Sequence, residues 1–414
     1  MPKPVASSFW LRLALAALLA GILAGSVSCA AQESWDAELS RIARPYRFSF
    51  LRWELAQFAR LLRPVQIPPQ AQDDPAGHVQ GYLTRQAQAN ALERAGQPVP
   101  AALQQELAEM RPVAELILAL QVAEALAQEG IYGPLDRHLR LPVTFPPVWF
   151  VFEPPPHLLV VSPRDRIEPI YQVMLEPEMD LATMEAIEAE IEALGLSPLV
   201  TEIGGFGATY PAVVSTRSSL PHAIETVAEE WLHQYLAFTP VGWRYILHLL
   251  RLRPDYEIAQ INESAATIVH EEIAERVLAE RYGIAPAPES AAPADDDGFD
   301  FRAFMRETRV QAEALLAQGQ IEEAEAYMEA RRQALVAEGY RIRKLNQAYF
   351  AFYGTYADAP GAITPIGAEL RALRAQAPSL SAFLNDVASL TGREALLRLL
   401  EERGIRAAGL LPAR

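Results

Sequence analysis

Within the stretch ETVAEEWLHQYL, residues 225 to 236, Glu229 and His233 stand four positions apart with Glu230 between them. On a helix, side chains at i and i+4 lie one above the other, so these two can meet a single ion. The pattern that builds a zinc site in this way is H-E-x-x-H, with two histidines as ligands and the intervening glutamate as a base. Here a glutamate, Glu229, holds the first ligand position, and a carboxylate also binds zinc. The apolar residues Ile224, Val227, Ala228, Trp231, Leu232 and Tyr235 form one stripe of this helix, while His222, Thr226, Glu229, Glu230 and His233 fall opposite it. Taken without context, that second face reads as an ordinary solvated surface, because E-E-x-x-H is a common pattern.

Thirty residues after His233 comes NESAATIVHEEIAERV, in which Glu263, Thr267 and His270 share one helical face and Ala265, Val269 and Ile273 an apolar one. A glutamate carried by a second helix completes a three-ligand site and leaves a further position for water. The pair of segments resembles the gluzincin metallopeptidases, in particular the predicted bacterial aminopeptidases in which an HE-x-x-H helix is followed by NES-x-AT-x-V. A third segment, KLNQAYFAFYGTYAD at 344 to 358, resembles the Asn-rich helix and Tyr-containing turn of that family. The resemblance covers roughly residues 200 to 390. It implies His233 and Glu263 as ligands, Glu230 as general base, a zinc ion and a peptide or protein substrate. It also implies that GGFGATYPAVV, residues 204 to 214, is the edge strand along which a peptide lies. Glu229 departs from the family pattern. With Glu229, His233 and Glu263 as the set, two carboxylates and one imidazole are harder donors, shifted toward manganese, iron or magnesium. The extra negative charge makes bound water less acidic, so a catalytically silent binding protein or envelope scaffold stands as the alternative to a peptidase.

Other side chains rank lower. His222 is two turns from Glu229, a rise of about 10 Å, and reads as a surface residue at the helix start. His270 is a partner of the site, a substitute for the missing histidine or a surface group, and its spacing favours the surface. His248, in GWRYILHLLRL, reads as packed or partly exposed. Tyr349, Tyr353 and Tyr356 are candidates to donate a hydrogen bond to a developing oxyanion; aromatic packing accounts equally well for the first two, which leaves Tyr356. No glycine loop for nucleotide phosphates and no G-x-S-x-G elbow is present.

The elements that must position these groups point to an α+β chain, mostly helical, with a small sheet at about 142 to 217 just before the motif helix. Helical spacing runs through 35 to 65, then through two helices across 76 to 130, the second kinked or broken at Pro112. From 142 the period changes: VTFPPVWFVFEPPPHLLVVSP and IEPIYQVML read as short strands, ATMEAIEAEIEALG as a helix, and PLVTEIGGFGATYPAVV as a strand interrupted by glycines. A core region at 141 to 284 thus follows an N-terminal helical region at 35 to 140. APAPESAAPADDDG at 285 to 298 has linker composition, and its DDDGFD run fits no complete calcium loop. Residues 299 to 414 read as a helical region, with one helix at 301 to 317 and another from 320 running on through RIRKLNQAYFAFYG.

The 414 residues carry a net charge of −16 without a basic cluster, which argues against nucleic acid as a partner. Lys3 and Arg12 precede a run from Leu13 to Ala31 that is free of charge, the layout of a secretion signal or a membrane anchor over residues 1 to 34. The expectation is a protein held at the cell membrane by its N-terminus, with its main body outside the cytoplasm. Cys29, the single cysteine, stands where a lipoprotein signal puts its lipidated residue; an uncleaved anchor and ordinary cleavage are the alternatives. A lone cysteine excludes an internal disulfide and a thiolate metal cluster.

Overall fold

Helical spacing on either side of a proline-rich, alternating middle folds into helices wrapped around two small sheets. The computed structural model describes residues 35–61, 65–134, 143–285, 299–354 and 364–405. The N-terminal helices are α1 (Trp35–Ala43), α2 (Phe50–Leu61), α3 (Pro69–Asp73), α4 (Pro75–Arg94) and α5 (Ala101–Gln128). Asp74 starts α4 by accepting the Gly77 amide hydrogen at 2.9 Å. Of the kink or break expected at Pro112, the break is absent: α5 runs through that residue as one helix.

The middle of the chain supplies β1 (Phe150–Phe152), β2 (His157–Pro163), β3 (Tyr171–Leu175), α6 (Leu181–Glu192), β4 (Leu196–Thr201), β5 (Gly205–Phe206) and β6 (Ala212–Val214). Instead of one sheet there are two, each of three strands. One has the order β3-β2-β4, antiparallel throughout; the other has β1 parallel to β6 and β6 antiparallel to β5, which lies at the edge. The apolar run Leu158–Val161 shows why β2 is buried on both faces. Leu159 and Val161 pack with Leu39, Ile187 and Ile191 from α1 and α6, whereas Leu158 and Val160 meet Leu199 and Ala348 on the other side. In the second sheet Phe150, Phe152, Ala212 and Val214 enter the main core, and Val151, Val213 and Phe206 face the opposite way.

Next come the two helices that carry the motif residues, α7 (Leu220–Leu236) and α9 (Tyr256–Tyr282), with α8 (Pro240–Leu249) between them. Pro221 opens α7 and Pro240 opens α8, each in the first turn where no intrahelical donor is lost. Asp255 caps α9 by accepting the Ile258 amide hydrogen at 3.1 Å, and Gly283, with φ of 66°, ends it in the left-handed conformation. α7 packs against α9 and, on its other flank, against β5 and β6. The expected apolar stripe of α7 is buried in full, and Trp231 donates its indole hydrogen to the Pro146 carbonyl at 2.6 Å.

The chain continues with α10 (Phe301–Ala317), α11 (Ile321–Ala337), α12 (Gln347–Tyr353), α13 (Ile366–Gln376), α14 (Leu380–Ala388) and α15 (Arg393–Glu402). The helix expected to run from 320 through 354 stops at Ala337, and Gly339 at φ 93° turns the chain before α12 begins. The last three helices close the main core with Leu370, Phe383 and Leu396. No described helix is long and apolar enough to cross a membrane. The linker expected at 285 to 298 lies outside the described residues apart from Ala285, and the signal or anchor at 1 to 34 lies outside them entirely.

Candidate metal centre

The face of α7 opposite its apolar stripe is not a solvated surface. The segment 204–209 lies across it, and α9 closes the other side. Glycines make the first approach possible: a Cβ on Gly205 would stand 2.3 Å from Thr226 Cγ2, and one on Gly207 would stand 2.9 Å from the Glu230 backbone oxygen. Gln234 then fastens the segment by donating to the carbonyls of Thr209 at 2.8 Å and Gly207 at 3.3 Å. Glu230 is consequently only 8% exposed and Thr226 3%.

Glu229 and His233 of α7 and Glu263 of α9 bring one ligand atom each to within 4.8 Å of one another. His233 Nε2 is 3.5 Å from Glu263 Oε2. Donors bound to one tetrahedral zinc stand about 3.3 Å apart, given bonds of about 2.0–2.1 Å, so this pair already has the spacing of a shared ion. The second nitrogen of the imidazole, Nδ1, lies 2.8 Å from Asn262 Oδ1. With the amide oxygen as acceptor, Nδ1 carries a proton, so Nε2 is the nitrogen that a cation could bind once its own proton is displaced. Tyr245 of α8 donates its hydroxyl hydrogen to Glu263 Oε1 at 2.5 Å. Its ring lies between the rings of His233 and His248, and His248 Nδ1 accepts the Asp255 amide hydrogen at 2.9 Å.

Charge in this space is out of balance. Burial, together with neighbouring Glu263, pushes the Glu229 carboxyl up to about 7. Burial and then Glu229 push Glu230 up to about 8, against the Gly207 amide, which lowers it. Burial alone would lower the His233 imidazole, but Glu263, through charge and a hydrogen bond, and then Glu230 and Glu229 raise it to about 10. Glu263 is raised by burial but brought below the usual carboxylate range by His233 and Tyr245. Glu229, Glu230 and His233 are all shifted toward their protonated forms, so a cation can replace protons here, and the donor set fits a divalent ion.

Two of the histidines can now be placed. His222 is half exposed and stands 3.5 Å from Glu225, as expected of a surface residue at the helix start. His270 is not at the surface as its spacing suggested: its side chain is 13% exposed and its Nδ1 points to Glu229 Oε2 at 3.7 Å. The crossing of α9 over α7 turns this face inward, which helical periodicity within α9 does not report. Tyr349 and Tyr353 pack on each other with ring centres 4.4 Å apart, and Tyr356 lies outside the described residues. Asn262 and Tyr245 were not singled out from the sequence. Asn262 was visible only as the first letter of NES, and nothing in GWRYILHLLRL marks Tyr245.

No protein-family model, no curated protein and no solved structure matches this chain. The gluzincin resemblance therefore stands on the quoted segments and on the cluster they form.

Proposed function

We propose that the chain is a metal-dependent peptidase of gluzincin type, with its ion held by Glu229, His233 and Glu263. The observation that carries this reading is the convergence of those three donors from two helices, beside Glu230 and beneath an edge strand. A divalent cation there supplies a Lewis acid that polarises a carbonyl and makes water more acidic. Glu230 is the group that takes a proton from the attacking water and delivers it to the leaving amine. β5, at the edge of its sheet and against Glu230, offers backbone groups along which an extended peptide can lie. Tyr356 is the proposed oxyanion donor. In its support, the carbonyl of Gly354 is held at 3.2 Å by Gln260, which precedes Glu263 in α9 by three residues. The charge-free run from Leu13 to Ala31 supports a body held at the membrane by its N-terminus, lipidated at Cys29 or anchored by the run itself.

One observation favours a second reading, a protein that binds an ion without hydrolysis: Glu230 lies almost fully covered by Gly205 and Gly207. Metal analysis and hydrolysis of unblocked peptides, run on the full chain and on Glu230→Gln, separate the two. The peptidase reading expects bound ion in both proteins and hydrolysis lowered by about 10²-fold or more in the variant. Ion without hydrolysis in the unmodified chain supports the binding protein, and hydrolysis indifferent to Glu230→Gln overturns the assigned role.

A further inference from the structure

Each of the three donors has a neighbour outside the cluster, and two of the three pairs are hydrogen bonds. His233 Nδ1 is 2.8 Å from Asn262 Oδ1, and Glu263 Oε1 accepts from Tyr245 at 2.5 Å. The third donor, Glu229, faces His270, whose Nδ1 lies 3.7 Å from Glu229 Oε2. That nitrogen is buried and makes no hydrogen bond. A buried ring nitrogen without a partner is costly, and buried polar groups in native proteins are nearly always satisfied. The gap to a hydrogen bond of about 2.9 Å is smaller than a carboxylate moves on a rotation about its last torsions.

Resting on the proposed metal reading, we infer that His270 is the positioning residue of Glu229, its Nδ1–H donating to Glu229 Oε2. Ligating histidines commonly donate their second ring hydrogen to a carboxylate that fixes their orientation. Here the first ligand position holds the carboxylate, and the imidazole supplies the fixing hydrogen bond from α9. Glu229 and His270 thus form one unit with the two roles exchanged, and this accounts for a histidine turned inward from the seventh position after Glu263.

The test is zinc affinity, measured by competition with a chromophoric chelator at constant pH on the full chain and on His270→Ala, His270→Gln, Glu229→Ala and the double variant His270→Ala/Glu229→Ala. Loss of an outer partner of this kind weakens metal binding by about 10–100-fold, which is the expected effect of His270→Ala. His270→Gln, whose amide can donate to the same oxygen, should recover part of that loss; it also keeps the test decisive if the alanine variant folds poorly. In the Glu229→Ala background, removal of His270 should change affinity no further, because its action passes through Glu229. Unchanged affinity in both single His270 variants, or an undiminished second loss in the double variant, overturns this role while leaving the metal reading intact. Absence of zinc binding by the unmodified chain overturns both.

Discussion

Glu229 is the residue that sets this centre apart from a two-histidine site, and its replacement has a predictable sign. Glu229→His removes one carboxylate and adds a neutral nitrogen donor, a softer set that suits zinc over manganese. The ratio of zinc to manganese affinity should rise by about tenfold, equivalent to ~1.4 kcal/mol, in competitive titrations of the variant against the unmodified chain. An unchanged ratio would mean that position 229 does not touch the ion. At this scale the sequence was readable wherever the chemistry is local. Glu229, Glu230 and His233 follow from i, i+4 spacing, and Glu263 from a second helix with the same kind of face. Tyr245 was not readable, and for His270 the spacing favoured the surface over a place at the site, because their reach depends on how α8 folds back and how α9 crosses α7. Neither angle is encoded in a periodicity.

At the scale of elements, the joint between the first sheet and the connection from α11 to α12 rests on Glu188 of α6. Its carboxylate accepts from the Val200 amide of β4 at 2.7 Å and from Arg343 at 2.6 and 2.8 Å, with Lys344 at 3.1 Å. Burial pushes this carboxyl up, but the Arg343 hydrogen bonds, the Lys344 charge and the Val200 amide together bring it below the ordinary 4.5. A depressed carboxyl contributes stability that is complete above its unfolded value and is lost as pH falls through the folded one. Arg343→Ala leaves the buried carboxylate short of its main partner and should destabilise the fold by on the order of 3 kcal/mol at pH 7. In denaturant titrations the gap between variant and unmodified chain should narrow as pH falls below 4.5; a gap constant from pH 7 to pH 3 contradicts this account. Strand existence was legible here, but strand grouping was not. The glycines at 204, 205 and 207 mark interruptions in a strand, yet only the packed structure shows that the interruption separates two sheets and lays the second against α7. The helix overrun past Ala337 has a similar origin, since an isolated Gly339 reads as tolerable within a helix until its φ of 93° is seen.

For the whole molecule, one core unites α4, α5, α7, α9 and the C-terminal helices, so the candidate centre sits between helices held from both ends of the chain. The α+β class and the helical majority were legible from the change of period at 142 and the return to helical spacing afterwards. Location is an expectation of the N-terminal run alone: fractionation should find the full chain in membranes and a chain lacking residues 1 to 34 in the soluble fraction. Full-length protein recovered free in the cytoplasm contradicts it. The central claim is that Glu229, His233 and Glu263 hold one ion, and metal stoichiometry tests it most directly. The full chain, loaded with zinc or manganese, freed of excess metal and measured by plasma emission, should retain about one ion per molecule. Glu229→Ala, His233→Ala and Glu263→Ala should each retain much less while remaining folded by circular dichroism. No bound ion in the unmodified chain, or equal retention in all four proteins, would contradict the account.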